Sequence, residues 1–479
     1  MNKKNAYILI MLLIPSVLFA EKVKVRVFST EKITYTKVSF ENASYSLVGD
    51  NVDTIASNLK RGDFVELTPF AKEVVVSING QKKGNFSNVT FVSYQDDAYL
   101  YISPKGEKQR SYEDNLIVSA LNNKYLQLIN HVEFESYIAG VAQSEIYGKH
   151  SDIFRIQAII SRTWAMRNME KHKAEGYNFC DNVHCQAYYN RCIREDIKQA
   201  AIASLNEVLV DAEGNLIETP FHSNSGGQTA NSEDVWKAEI AYLRSVQDTF
   251  SYGMKQSVWT KEFATDKWLN YFAKNHKLNI NNDSVRNGLV NFVQDERKAK
   301  IMGIPLTTIR KDWNLKSTFF SVYYYGDKVV LEGRGYGHGV GLSQEGAIRM
   351  VELGMNYKDI LTHYYTGAQV VRLGGEMPEE LEQPALQLAY NHNTNVENTN
   401  SENEMVNLIA KANTSAEAVE YKRQSQTTEK VAETAKANET NKTKRSSDLA
   451  SRMLSTKKQL ESETSNKNTN NENDWVYEW

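Results

Sequence analysis

Cysteine is scarce in this sequence of 479 residues. Only three cysteines occur, and all fall within thirteen residues, at Cys180, Cys185 and Cys192. An exported fold that depends on disulfides needs several dispersed pairs, so these three cysteines exclude a disulfide framework for the core. Their clustering indicates a local role instead.

An excess of positive charge is also missing. Lysine and arginine total 56 while aspartate and glutamate total 59, which gives a net charge of -3. A protein that binds nucleic acid through its phosphates needs a basic face or stripe. The charge balance therefore argues against a nucleic-acid partner.

Long apolar runs are absent except near the N-terminus. Residues 8–19 are mainly apolar, two lysines precede them, and Ala20 and a charged stretch follow. This pattern predicts a signal peptide over residues 1–20, and hence an exported protein of the periplasm or cell envelope. An uncleaved anchor is the alternative, because Leu18 is bulkier than the residue usual at that position. No other run is long enough to span a bilayer, so we expect no stable membrane span after cleavage.

The mature chain divides into three regions. Residues 21–108 are predicted to be β-rich, because residues 22–28 alternate between polar and apolar side chains and Asn79-Gly80 suits a tight hairpin. Residues 109–375 are predicted to form a mixed domain. Residues 376–479 are rich in Asn, Glu, Thr, Ser and Lys, and such a composition buries too little apolar surface to offset chain ordering. This tail is predicted to be disordered.

The mixed domain combines helical and strand patterns. Apolar residues at helical spacing predict a helix over 151–169. Strands are predicted at 208–210, 216–221, 319–325 and 329–331. The last two are expected to form a hairpin closed at 326–327. Because helices and strands do not alternate regularly, the predicted fold class is α+β rather than a doubly wound sheet.

Four blocks of sequence point to a function. They cover residues 137–146 with 156–166, then 180–188, then 221–236, and finally 333–344 with 363–367. Their sequences are YIAGVAQSEI with IQAIISRTWAM, CDNVHCQAY, FHSNSGGQTANSEDVW, and GRGYGHGVGLSQ with HYYTG. In this order they resemble the SpoIID/LytB family, and the resemblance covers about half of the chain. It is weak in the N-terminal β-rich region and does not reach the tail.

The resemblance implies a SpoIID-like domain and an activity. The implied enzyme is a lytic transglycosylase that cleaves the MurNAc–GlcNAc bond of peptidoglycan glycan strands, with strands stripped of their stem peptides as substrate. Glu145 matches the family's catalytic acid. In that role it protonates the glycosidic oxygen and then, as carboxylate, takes a proton from the MurNAc 6-hydroxyl, which closes a 1,6-anhydro ring.

Without the resemblance, Glu145 admits two interpretations. It follows the apolar run 138–142, and a carboxyl group at the edge of apolar surface resists ionisation, which raises its pKa as a general acid requires. Spacing alone favours a surface or helix-capping glutamate, and the resemblance reverses that preference. A hydrolase would need a second carboxylate, for which Asp234 and Glu135 are the candidates.

Two functions without catalysis are alternatives. One is a glycan-binding protein that stimulates a cell-wall amidase, a role also attached to LytB-type relatives. The other is a scaffold whose tail recruits envelope proteins while the central domain holds glycan. Glu145 in its expected context favours the enzyme, because a stimulator has no need of a catalytic acid.

Cys180, His184 and Cys185 form a candidate metal site. Thiolates and imidazole are ligands of zinc, and His172 or Cys192 would complete a tetrahedron. The resemblance also associates zinc with this region. A disulfide between two of the cysteines, or free thiols beside a structural histidine, are the alternatives.

Polar residues of the last two blocks are candidate glycan ligands. They are Ser223, Ser225, Gln228, His338, Ser343 and Gln344. The glycines at 226–227 and within 333–341 predict positive φ or close passage of another backbone or a ligand. His338 suits glycan binding, orientation of Glu145 or a structural role. Gln157 and Arg162 are predicted to support the Glu145 loop rather than to touch sugar.

Overall fold

The computed structural model describes residues 22–51 and 53–374. The predicted signal peptide and the predicted disordered tail lie outside the described residues. The first part of the described chain forms strands. Their bounds are β1 (Lys22–Val27), β2 (Thr36–Phe40), β3 (Tyr45–Gly49), β4 (Asp53–Leu59), β5 (Phe64–Phe70), β6 (Glu73–Ile78), β7 (Gln81–Phe86), β8 (Asn88–Val92), β9 (Tyr99–Pro104), β10 (Arg110–Glu113), β11 (Asn115–Leu121) and β12 (Tyr125–Glu133).

Helices and shorter strands follow. They are α1 (Phe134–Glu145), α2 (Ser151–Arg167), β13 (Phe179–Cys180), α3 (Glu195–Ala203), β14 (Glu207–Val210), β15 (Phe221–His222), α4 (Ser232–Trp236), β16 (Val258–Ala264), α5 (Thr265–His276), α6 (Asp283–Val290), β17 (Lys300–Ile301), β18 (Ile304–Pro305), α7 (Leu306–Asp312), β19 (Phe320–Tyr325), β20 (Lys328–Arg334), β21 (Leu342–Ser343), α8 (Gln344–Glu352), α9 (Tyr357–Tyr364) and β22 (Gln369–Arg372). The predicted α+β class is confirmed. Among the described residues, no helix has the length and apolar character needed to cross a membrane.

Two large sheets form the N-terminal region. One has the strand order β13-β1-β12-β11-β8-β3-β4, and the other has the order β10-β9-β2-β5-β6-β7. Alternate side chains are buried, as with Val23, Val25 and Val27 of β1, because successive side chains of a strand point to opposite faces. Strands lie on both sides of the expected boundary between residues 108 and 109, since β9 pairs with β10. The short strand β13 pairs in parallel with β1 and so attaches the cysteine segment to this sheet.

Several predicted elements are confirmed. Asn79-Gly80 joins β6 to β7 as a two-residue loop, and both residues have positive φ, which suits a tight hairpin. The helix predicted over 151–169 is α2, and the hairpin closed at 326–327 is β19 with β20. The strand predicted over 208–210 lies within β14, which pairs with β22.

The strand predicted over 216–221 is wrong for most of its length. Only Leu216, in an isolated bridge, and Phe221, the first residue of β15, have strand pairing. Pro220 has no N–H to donate to a sheet. The N–H of Glu218 donates to a tyrosine hydroxyl at 3.0 Å instead of to a strand. The apolar residues here belong to an extended loop that is held by tertiary contacts.

Helix α1 is absent from the predicted elements, although it ends at Glu145. Its buried residues include Phe134, Tyr137, Ile138 and Val141, which recur at the three- and four-residue spacing of a helix. A short apolar run does not by itself distinguish a helix from a buried strand. Packing of α1 against α2 and α3 decides the outcome.

Two hydrophobic cores lie within the described residues. The larger core joins the N-terminal sheets to α1, α2, α8 and α9. The smaller core lies between residues 259 and 331, where the sheet of β16, β20 and β19 packs against α5, α6 and α7 around Trp268 and Phe272. Strand β15 precedes this unit in the sequence and β21 follows it. The two strands pair in parallel, with Phe221 opposite Leu342. The third and fourth sequence blocks are thereby brought together.

Candidate functional site

Glu145, the last residue of α1, lies where three of the sequence blocks meet. Only 7% of the residue is exposed. Its Oε1 atom accepts a hydrogen bond from the backbone N–H of Ala187 at 2.7 Å. Its backbone carbonyl accepts one from the Nε2 amide of Gln344 at 2.9 Å. The position of this carboxyl group is therefore fixed by segments that are distant in sequence.

Gln344 and Gln157 lie behind Glu145. Both side chains are buried. The amide of Gln344 also lies 3.4 Å from Oε1 of Gln157, and the Nε2 amide of Gln157 donates to the Ser161 hydroxyl at 3.2 Å. Both glutamines thus hold the end of α1 in place. For Gln344, predicted as a glycan ligand, the structure places the amide against protein atoms.

The predicted serine and glutamine ligands are largely turned inward. The N–H of Ser225 donates to the Ser343 hydroxyl at 3.2 Å, and the Ser225 hydroxyl donates to Asp248 at 2.7 Å. The amide of Gln228 donates to a serine hydroxyl at 3.0 Å. Ser223 is half-buried and is the predicted hydroxyl with the most access to solvent. The loop is therefore braced mainly from within.

His338 is buried and neutral. Val340 N–H donates to Nδ1 at 3.0 Å, so the ring proton is on Nε2, which lies 2.8 Å from the carbonyl oxygen of Phe221. Burial lowers the pKa of His338 to about 3. Its ring lies 5.1 Å from that of Trp236. Because both nitrogens are used by backbone groups, His338 braces β15 and does not carry a proton to Glu145.

Gly341 tests the prediction that another backbone segment passes close to the glycine-rich segment. A Cβ atom on this residue would lie 2.1 Å from the carbonyl oxygen of Pro220, and its φ is 70°. We expect Gly341→Ala to lower the free energy of unfolding by about 3 kcal/mol, because the clash and the left-handed backbone both oppose a side chain. Gly354→Ala is the matched control, since its φ is 80° but no atom lies within 4 Å. Chemical denaturation should show that Gly354→Ala lowers the free energy of unfolding by only about 1 kcal/mol. Equal losses in the two variants would contradict the close approach of the Pro220 carbonyl group to Gly341.

Arg162 ties α1 to the body of the domain. The residue is 1% exposed, and two of its guanidinium nitrogens donate to Glu135 at 2.9 and 2.6 Å. The same guanidinium donates to the backbone carbonyls of Ala201 and Glu207 at 3.2 and 3.1 Å. It therefore joins the start of α1 to α3 and β14, contacts that are consistent with the predicted supporting role.

Arg162→Ala should lower the free energy of unfolding by about 3–5 kcal/mol, because it leaves Glu135 and two buried carbonyl groups without their donor. Arg162→Lys keeps the charge but lacks the planar fork, so we expect an intermediate loss. Thermal and chemical denaturation measure the stability of both variants. An alanine variant as stable and as active as the parent would overturn the supporting role.

Four side chains form a compact cysteine–histidine cluster. Their ligand atoms, from His172, Cys180, His184 and Cys185, all lie within 4.8 Å of one another. The Sγ atom of Cys180 lies 3.6 Å from Nδ1 of His184, and that of Cys185 lies 3.4 Å from Nε2 of His172. The hydrogen bond from Cys185 lowers the pKa of the Cys180 thiol to about 5. A thiolate, the form that binds metals, is therefore readily formed at Cys180, while the same hydrogen bond together with burial raises the pKa of Cys185.

The surroundings of the cluster also suit a metal ion. Nδ1 of His172 lies 2.5 Å from Oε1 of Glu175, and the other carboxylate oxygen, Oε2, accepts a hydrogen bond from the Tyr177 hydroxyl at 2.6 Å. A histidine whose second nitrogen is held by a carboxylate is a common arrangement around zinc, because it fixes the ring and increases its basicity. Two sulfur and two nitrogen donors make a closed set for a tetrahedral ion.

The structure excludes the disulfide for the cysteines and leaves two alternatives, a metal site and free thiols beside a histidine. His172 completes the cluster, whereas the Sγ atom of Cys192 lies 3.4 Å from the Arg194 carbonyl oxygen instead. Cys180, Cys185 and Cys192 are free, so the alternative of a disulfide is wrong for this structure. Pairing of β13 with β1 holds Cys180 beside the histidines, which favours a ligand cluster.

A cleft of about 190 Å³ opens beside Cys185 of the cysteine–histidine cluster. Its lining is mainly aromatic and aliphatic and includes Trp164, Gln186, Glu218, Phe221, Trp236 and Leu243. Gln186 directly precedes Ala187, whose N–H contacts Glu145. The two tryptophans lie within the sequence blocks, but only their grouping in space identifies them as the walls of a cleft.

The carboxyl groups considered for a hydrolase are placed unequally. Glu135 lies ten residues before Glu145 on α1, which separates their backbones by about 15 Å, and its carboxylate is bound to Arg162. It cannot act across a glycosidic bond from Glu145. Asp234 lies on α4 near Trp236 and accepts a hydrogen bond from Asn231 at 3.5 Å.

Comparison with known proteins identifies a family that this chain resembles. Residues 122–210, which contain Glu145, Arg162 and the cysteine–histidine cluster, match the SpoIID family model, described as stage II sporulation protein. Over these residues and the longer alignments below, the chain is similar to the SpoIID/LytB family.

Individual relatives are moderately similar. Stage II sporulation protein D of Bacillus subtilis (strain 168) is 28% identical over 264 residues, covering 51% of this chain and 76% of that protein. An uncharacterised protein of Brachyspira hyodysenteriae (strain ATCC 49526 / WA1) is 25% identical over 262 residues, covering 52% and 69%. An amidase enhancer of Bacillus subtilis (strain 168) is 24% identical over 287 residues, covering 48% and 39%.

Proposed function

We propose that this protein is a peptidoglycan lytic transglycosylase with Glu145 as its catalytic acid. The observation that carries the proposal is the placement of the Glu145 carboxyl group, which is buried at the end of α1, bonded to Ala187 and fixed from behind by Gln344. General acid catalysis requires a carboxyl group held in one place. The relatives named stage II sporulation protein D and amidase enhancer support a role in the cell wall.

In the proposed reaction Glu145 acts twice. Its carboxyl group donates a proton to the oxygen between MurNAc C1 and GlcNAc, and the C1–O bond breaks as positive charge develops at C1. The carboxylate then accepts the proton of the MurNAc 6-hydroxyl, whose oxygen bonds to C1 and closes the 1,6-anhydro ring. Glu145 ends protonated, so neither water nor a second acid is consumed. The N–H of Ala187 stabilises the carboxylate between the two transfers.

The aromatic cleft is the proposed glycan site. Trp164, Phe221 and Trp236 offer apolar faces to sugar rings, and Gln186 and Glu218 offer polar atoms to their hydroxyl groups. Glycan strands without stem peptides are the proposed substrate, and the periplasm or cell envelope is the proposed location.

Zinc is the proposed ion of the cysteine–histidine cluster. His172, Cys180, His184 and Cys185 would hold it, and the bound ion would supply a structural link between β13 and the loop that follows. With four protein ligands there is no open position for substrate, so its role would be structural. The cluster stabilises the segment that ends at Ala187, and thereby the donor to Glu145.

Mass analysis of reaction products tests the proposed function. The chain without its predicted signal peptide is incubated with intact peptidoglycan and with peptidoglycan stripped of stem peptides by an amidase. We expect anhydro-MurNAc ends, mainly from stripped strands. Reducing MurNAc ends would mean a hydrolase, and no cleavage of either substrate would overturn the proposal.

Stimulation of a cell-wall amidase is the second candidate function, because one relative is named an amidase enhancer. Addition of the chain to a purified amidase distinguishes this function from the transglycosylase activity. Faster release of stem peptides without anhydro ends, unchanged in Glu145→Gln, would favour the stimulator.

A further inference from the structure

The ring of Tyr147 is held at the surface two residues after Glu145. The residue is 54% exposed, and its hydroxyl donates to Oε1 of Glu345 at 2.8 Å. Glu345 is 1% exposed, and its Oε2 accepts from the side-chain amide of Asn224 at 2.7 Å. A ring tethered through its hydroxyl to a buried carboxylate keeps its orientation, so an aromatic surface is presented close to the proposed acid.

Lys316 joins the same hydrogen-bond network. The backbone N–H of Gln256 donates to Oε2 of Glu345 at 3.0 Å, and the side-chain oxygen of Gln256 accepts from the Lys316 ammonium at 3.2 Å. The backbone carbonyl of Lys316 accepts from Gly337 at 2.9 Å, which fixes it to the glycine-rich block. Lys316 is exposed, and within residues 22–51 and 53–374 its ammonium forms no ion pair. The ammonium also lies over the Tyr336 ring, 5.5 Å from its centroid, but no carboxylate neutralises its charge among these residues, and it can attract an anion outside the protein.

The charge of a muramyl residue depends on whether its stem peptide is present. Hydrolysis of the amide between the lactyl group and the peptide leaves a free lactyl carboxylate, whereas an intact strand has a neutral amide at that place. Chitin oligosaccharides have the same sugar backbone without a lactyl group. An ammonium group that forms no ion pair complements the first of these ligands and neither of the other two.

We propose that Tyr147 and Lys316 form a subsite for a muramyl residue with a free lactyl carboxylate. The Tyr147 ring supports the sugar, and the Lys316 ammonium binds the carboxylate. Glu345 and Gln256 are positioning residues that hold the two groups in one arrangement. The inference rests on the proposed function for its ligand, a glycan strand, but not on the reaction. It gives a physical cause for selection of stripped strands.

Calorimetric binding to the Glu145→Gln chain, which should bind without turnover, tests the subsite. Three probes of equal length are compared: stripped glycan, the same glycan with its lactyl carboxylates converted to methyl amides, and chitin oligosaccharide. We expect the first to bind about tenfold more tightly than the other two at low salt, and this preference to shrink as ionic strength rises.

Substitutions at Lys316 separate a charge effect from a structural one. Lys316→Met should abolish the preference by weakening stripped glycan about tenfold and leaving the other probes unchanged, while Lys316→Arg should keep it. Lys274→Met, at an exposed lysine of α5, is the matched control and should change nothing. Tyr147→Ala should weaken all three probes, because the sugar ring is common to them.

The outcomes distinguish this inference from the proposed function. Equal weakening of all probes by Lys316→Met, or no change in any of them, would overturn the subsite. Failure of every probe to bind would overturn it together with glycan binding. If the chain binds stripped glycan selectively but produces no anhydro-MurNAc ends, the subsite is supported and the proposed transglycosylase reaction is contradicted.

Discussion

Glu145→Gln should lower the rate of anhydro-MurNAc formation by about 10³-fold while the protein stays folded. The amide has nearly the same shape as the carboxyl group, and its oxygen can still accept from Ala187 N–H, so the hydrogen bond at 2.7 Å is retained. It cannot give a proton to the glycosidic oxygen or take one from the 6-hydroxyl, and positioned proton transfer commonly contributes 10²–10⁴-fold, so a loss of about 10³-fold lies within that range. Product release from stripped glycan, followed by mass spectrometry, measures the effect.

Asp234→Asn is the matched control for Glu145→Gln. It changes the second of the two carboxyl groups that the sequence offered to a hydrolase, which lies on α4 near Trp236. In a transglycosylase with one acid, we expect its rate to stay within about twofold of the parent. Comparable losses in both variants, or full activity of Glu145→Gln, would contradict the single-acid mechanism. A circular dichroism spectrum identical to the parent's is required of each variant.

Removal of zinc from the cysteine–histidine cluster should lower the thermal midpoint by about 10 °C. The four ligand atoms lie within 4.8 Å of one another, and His172, Cys180 and Cys185 are buried while His184 is exposed, so without an ion the thiols and imidazoles lose their strongest partner. A loss of several kcal/mol corresponds to roughly this shift for a domain of this size. Elemental analysis should find about one zinc per chain, and a chelator should lower both metal content and midpoint.

Two cysteine variants sharpen this experiment. Cys185→Ser should lose the zinc and show the lower midpoint without a chelator. Cys192→Ser alters a buried cysteine outside the cluster, so its zinc content should equal that of the parent. A parent protein that is free of metal and indifferent to chelators would contradict the zinc site. So would a mass that reports a disulfide between Cys180 and Cys185.

Local patterns predicted much of the fold because they depend on neighbouring residues. Alternation of side chains gave β1, and the Asn79-Gly80 pair gave the hairpin of β6 and β7. The prediction failed at residues 216–221, where apolar side chains pack in a loop and Pro220 cannot donate to a sheet. Helix α1 was obscured because a short apolar run is compatible with either a helix or a strand.

The sequence named candidate site residues but not the contacts that their side chains make. Glu145 as the acid and the cysteine–histidine residues as metal ligands stay predictions from the family resemblance and from ligand chemistry. Gln344 and His338 were expected near sugar, yet their side chains contact the protein backbone. The partner of a polar side chain is set by whichever group packing brings to it, and that group can come from anywhere in the chain.

The sequence by itself determined the α+β class and the similarity to the SpoIID/LytB family, and it predicted roles for Glu145 and for the cysteine–histidine segment. Only the tertiary structure decided which groups surround them. Gln344 reaches the Glu145 carbonyl from 199 residues away, because β15 and β21 pair and place α8 behind α1. His172, and not the nearer Cys192, completes the cluster, because β13 is held against β1. Residue types and spacings are local properties of a chain, whereas contacts at long sequence separation exist only after packing has selected one arrangement.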